Sequence, residues 1–166
     1  FHNLRVFMSG KTGFDYKEHE EQSYDLNVLY GKLRRQGYYT VLQEDSCWYD
    51  EWGSFFTNNI FQPNRPKSKK QFEERWKMFK NVADTYEIDD YGLSHISCEV
   101  FKQYNVTNQF NRPKRICYDG RVFASYFMEY SANLFRAFKH SGRNTPVFSY
   151  THLNVGHEIS GTRIKQ

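Results

Sequence analysis

Residues 23–45, SYDLNVLYGKLRRQGYYTVLQED, restrict the fold class more than any other stretch of the chain. Leu26, Leu29, Tyr30 and Leu33 recur at the three- and four-residue spacing that puts apolar side chains on one helical face. Gly37 follows where helices commonly end on a glycine. YYTVLQ is then a β-branched and aromatic run of strand length, closed by Glu44 and Asp45. A helix feeding a strand through a tight turn is the connectivity of an α/β sheet. Open α/β sheets place their ligand sites beyond the carboxyl ends of their strands.

The remaining sequence fills in that plan. Helical periodicity predicts helices over 70–87, with Phe72, Trp76 and Phe79 on one face, and over 94–104, with Ser94 as N-cap. A longer helix is expected over 121–142, with Phe123, Phe127, Tyr130, Leu134 and Phe138 in register and Gly142 as its stop. TPVFSYTHLN (145–154) reads as a second strand, 47–70 as a long surface loop and 105–120 as a connection. No repeat, heptad or low-complexity tract interrupts the chain, so one domain without an internal boundary is expected over all 166 residues. Aliphatic content is modest, and the core has to come from aromatics, which make up 19% of the residues.

Charge excludes more than it assigns. The net charge of +4 is spread along the chain, with RPKSKK (65–70) its densest point, so no specific nucleic-acid partner is expected. No apolar run approaches the roughly 20 residues of a spanning helix. The chain opens on Phe rather than Met, as an internal piece of a longer protein would. Asn105-Val106-Thr107 is an acceptor sequence for N-glycosylation and agrees with a secretory route. Cys47, Cys98 and Cys117 lack metal-ligand spacing, and an odd count fits either free thiols or an incomplete disulfide set.

Two places carry chemistry. His152 and His157 follow the second strand, with Asn154 and Gly156 between them. Neutral imidazole ligates borderline metals and imidazolium pairs with phosphate, so both could face one pocket; two unrelated loop histidines satisfy the same spacing. Glu44 and Asp45 end the first strand, either as a metal-binding or acid–base pair or as polar residues that close a strand. His95, at a helix start, reads as a surface histidine.

FHNLRVFMSGKTG (1–13), LRRQGYYTVLQED (33–45), GLSHISCEVFK…RICYDGR (92–121) and FSYTHLNVGHEISGTRIKQ (148–166) together resemble an uncharacterised, sulfatase-like branch of the alkaline-phosphatase superfamily, found mainly in animals. The most specific element is the Thr-His-Leu-Asn-x-Gly-His-Glu run. The resemblance implies a partial excerpt of a mixed sheet flanked by helices, from a metal-dependent hydrolase or transferase of phosphate or sulfate esters. It implies a zinc pair, with His157 as a metal ligand and His152 as a substrate contact; Glu44 and Asp45 are expected at the pocket rim from their place at a strand's carboxyl end. Phosphodiesterase relatives carry Asp where this chain has Leu153, four residues before the matching histidine. Phe1-His2-Asn3 and Ser9-Gly10 fit the frame that follows the superfamily's nucleophile, so a threonine is expected just before Phe1 and the chain alone is expected to be inert. Cys98–Cys117 is the expected disulfide, in a protein that is secreted or faces the exterior. A catalytically dead extracellular binding scaffold of the same fold is the alternative; a carbohydrate- or nucleic-acid-binding module fits the diffuse charge less well.

Overall fold

The computed structural model describes Phe7 and residues 29–47, 87–106 and 115–156. Within them the fold is α/β. Helix α1 (Tyr30–Arg35) leads into β1 (Tyr39–Glu44), α2 (Ser94–Gln103) follows, then the short strands β2 (Cys117–Tyr118) and β3 (Arg121–Val122). Helix α3 (Phe123–His140), strand β4 (Val147–His152) and a 3-10 turn (Asn154–Gly156) complete the order. Residues 70–86 of the helix predicted over 70–87, and the RPKSKK loop, lie outside the described residues; Glu87 is a turn residue at φ +57°.

The turn from α1 into β1 is made as its sequence predicts. Gly37, at φ +83°, donates its N–H to Arg34 O at 2.9 Å, and Tyr38 donates to Leu33 O at 3.1 Å. This double closure satisfies the helix's last carbonyls and reverses the chain into the strand. From Thr40 to Glu44 every residue of β1 is buried, the burial of a strand covered on both faces. β4 lies parallel on one side, in a register that runs from Tyr39 opposite Val147 to Glu44 opposite His152. On the other side Asp89 and Asp90 donate to Thr40 O, each at 3.1 Å, and Leu42 donates to Asp90 O at 2.9 Å.

Aromatic packing supplies the core, as composition requires. Phe101 of α2 meets Phe123 of α3 edge to face at 5.8 Å, Phe123 meets Phe127 at 5.1 Å, and Tyr30 meets Phe148 at 5.6 Å. Phe123 and Phe127 are fully buried, while Tyr130, Leu134 and Phe138 are half-buried along the same helical face. Arg121 and Val122 are not helical as predicted. They pair antiparallel with Cys117 and Tyr118 across Asp119 and Gly120, both at positive φ, which is the geometry an Asp-Gly hairpin turn favours.

Gln43 is the polar centre of this core. Its Nε2 faces Ser131 Oγ at 2.7 Å, Thr151 Oγ1 at 3.0 Å and Phe127 O at 3.2 Å, which joins β1, α3 and β4. Gly92, at φ +51°, passes so close that a Cβ there would stand 2.3 Å from Gln43 Oε1. Gly37 has open space around the same position. Gly37→Ala therefore meets only the left-handed backbone cost, about 1 kcal/mol, whereas Gly92→Ala adds displacement of a locked side chain and costs about 2 kcal/mol. Urea unfolding of the two variants side by side checks the order, and equal losses would contradict it.

Candidate functional site

Parallel pairing brings the ends of β1 and β4 to one edge, and the register sets Glu44 beside His152. Glu44 Oε1 is 3.2 Å from His152 Nδ1; the glutamate side chain is 2% exposed and the imidazole 26%. Helix α2 fixes the strand at this point. Ser94 Oγ accepts the Glu44 N–H at 2.8 Å, and Ser97 Oγ donates to Glu44 O at 3.3 Å. Ser94 therefore does not cap its helix: Leu93 is the N-cap residue and makes no side-chain cap bond. The hydroxyl serves the strand instead.

Asp45 is buried one residue further on. Its Oδ1 accepts from Asn154 N at 2.6 Å and from Asn154 Nδ2 at 3.1 Å; Nδ2 also donates to Ser46 Oγ. Asp45 N donates to His152 O at 3.1 Å, which carries the parallel ladder one step past the named strands. The first turn after β4 is thereby fastened to the first turn after β1.

The electrostatics follow from burial and pairing. His152 is held above its ordinary pKa by its hydrogen bond with Glu44; burial opposes this, and the charges of Glu44 and Asp45 reinforce it. Burial pushes Asp45 up to about 6, against the bonds from Asn154 and the charge of His152. Tyr150, whose ring lies 6.3 Å from that of His152, is pushed up to about 12 by burial and then by Glu44. With Nδ1 turned to Glu44, the imidazole's Nε2 has no hydrogen-bond partner among the described residues.

Glu44, Asp45 and His152, chosen from sequence, thus stand together. His157 lies outside the described residues. His95 is an exposed histidine, with Nδ1 3.0 Å from Gly92 O. Asn154, Ser94 and Ser97 were not assigned to the site from sequence, although the Asn154 signal was present as the Asn of THLN. The expected disulfide is corrected: Cys98 pairs with Cys47, and Cys117 is free. Cys98 faces the exit of β1, where Cys47 arrives, whereas the Cys117 backbone is held at the far end of α2 by two bonds with Tyr104 Oη, at 2.7 and 2.9 Å.

Among the described residues no three His, Cys, Asp or Glu side chains converge as a metal site, and no helix is long and apolar enough to cross a membrane. Glu44 faces His152 and Asp45 faces Asn154, so these residues do not by themselves build a zinc pair. Compared with protein-family models, curated proteins and solved structures, the chain matches none.

Proposed function

We propose that the chain is part of an alkaline-phosphatase-like hydrolase or transferase of phosphate or sulfate esters, secreted or facing the exterior, in which His152 contacts the ester. The Glu44–His152 pair at the carboxyl edge of two parallel strands carries this reading. Glu44 orients the ring and favours its protonated form. The imidazolium then donates from Nε2 to a non-bridging oxygen, a charge-assisted bond that a neutral side chain would not match. Asp45 and Asn154 hold the following turn against the strand so that the ring cannot swing away. The resemblance also implies zinc in the parent. In this chain, His157 is the residue the resemblance offers it.

A catalytically dead binding scaffold of the same fold is the second reading, in which His152 would contact the anion without turnover. The His152 ring signals, followed by NMR through a pH titration with inorganic phosphate or sulfate, test the reading both versions share. In the free protein His152 should titrate above its ordinary value, and either anion should raise it further. Glu44→Gln should lower it, and His152→Ala should weaken anion binding about tenfold, the equivalent of one charge-assisted hydrogen bond. Ring signals indifferent to both anions at every pH, with and without added zinc, would remove His152 from any ester site. Ester turnover by the full-length parent separates enzyme from scaffold.

A further inference from the structure

We infer that Asn105 carries an N-linked glycan, and that the chain matures in an oxidising secretory lumen; this stands apart from the ester reading. Three observations meet at the end of α2. The first is local geometry. Asn105, at φ 55°, donates its N–H to Lys102 O at 3.0 Å, and Val106 donates to Phe101 O at 3.2 Å. This is the same double closure that Gly37 makes after α1, here with asparagine, the residue that best substitutes for glycine in the left-handed region. The closure turns Val106 towards the core, where it packs as a partly buried residue, and leaves Asn105 exposed.

The second observation is availability. The exposed Asn105 side-chain amide has no hydrogen-bond partner among the described residues, so glycosylation would break no bond among them. It is also the acceptor of the only Asn-x-Ser/Thr sequence in the chain, since Asn144-Thr145 is followed by Pro146 and other asparagines lack the third-position hydroxyl. The third is the closed Cys47–Cys98 pair, buried in the core seven residues before Asn105. Such a pair persists in the compartment where N-glycans are added and not in a reducing cytosol.

The co-substrate is a lipid-linked oligosaccharide pyrophosphate. Asn105 Nδ2 forms a bond to the sugar's anomeric carbon as the bond from that carbon to the pyrophosphate oxygen breaks. The lipid pyrophosphate leaves with the electron pair, and Nδ2 gives up one proton.

The test is to express the chain in eukaryotic cells behind a cleavable secretion signal and examine lysate and medium together, so that chains which fail to leave the cell are still counted. One glycan, removable by peptide-N-glycosidase, is expected. Removal in heavy-oxygen water should leave labelled Asp at position 105. Asn105→Gly keeps the helix-terminating turn and Thr107→Ala leaves Asn105 itself in place; both should abolish the glycan, and Thr107→Ser should keep it. Because Asn105 is exposed, the glycosidase should act without denaturant. Unmodified Asn105 in chains whose Cys47–Cys98 bond is closed would overturn the assignment, as would a glycan that survives in Asn105→Gly.

Discussion

A chain carrying both Cys47→Ala and Cys98→Ala should unfold about 4 kcal/mol more easily than the oxidised wild type. The two cysteines are 51 residues apart in sequence, and closing a loop of that length restricts the unfolded chain by about that amount in the chain-entropy account. The site should feel the loss. Cys47 lies three residues beyond Glu44, and Cys98 directly follows Ser97, whose hydroxyl holds the Glu44 carbonyl. The disulfide therefore anchors the same strand end that Ser94 and Ser97 hold by hydrogen bonds. Cys117→Ala should cost within about 1 kcal/mol of nothing, because the half-buried Cys117 thiol makes no covalent bond and only its backbone is used by Tyr104. Urea unfolding of the three proteins measures these differences, and a thiol assay on the native wild type should find one free cysteine. If Cys117→Ala were the more damaging change, or if three thiols reacted, the Cys47–Cys98 pairing would be wrong.

How far the sequence predicted this arrangement depended on the range of the interactions. The turn at Gly37 and the strand after it were legible because their determinants lie within a few residues: apolar spacing in α1, a glycine, then a β-branched run. The YDGR hairpin was equally local, and its Asp-Gly signal was overridden by the helical periodicity that starts at Phe123 and was extended back to Arg121. Ser94 shows the other limit. A serine before an apolar helical run predicts a cap, but its hydroxyl is drawn 50 residues away in sequence to the Glu44 N–H, an amide on β1 that no local pattern announces. The cysteines failed for the same reason. Choosing Cys98 with Cys117 weighs sequence and resemblance, whereas the actual partner is decided by where β1 delivers Cys47. The juxtaposition of Glu44 with His152, 108 residues apart, comes from the parallel register, and sequence could only nominate the two strand ends separately.

Asp45 and His152 should each contribute less stability as pH rises from 4 to 8, opposite in sign to ordinary acid denaturation. Asp45 has a folded pKa of about 6 against an ordinary value of 3.8. Between those values the folded state binds the extra proton, so the stability this group contributes is complete below 3.8 and lost as pH passes through about 6. A shift of roughly two units corresponds to about 3 kcal/mol. His152 acts in the same direction at higher pH: its folded pKa is raised, so its contribution is complete below 6.5 and disappears as pH climbs through the folded value. Urea unfolding at intervals across that range should show two descending steps. Asp45→Asn should flatten the first and His152→Gln the second. A stability difference between wild type and Asp45→Asn that stays constant between pH 4 and 6 would show that burial does not control Asp45. The cost is explicable only by position. A buried carboxylate that ionises near pH 6, fastened to the turn after His152 and within reach of its charge, sets beside the raised imidazole a second group that holds its proton more tightly than usual. Two donors from Asn154 offset part of the burial cost and fix where the carboxylate points. An apolar residue at position 45 would remove the penalty, but it would also remove the acceptor that locks the turn behind the imidazole. The fold gives up stability above pH 6 in order to keep the end of β4 in register with Glu44.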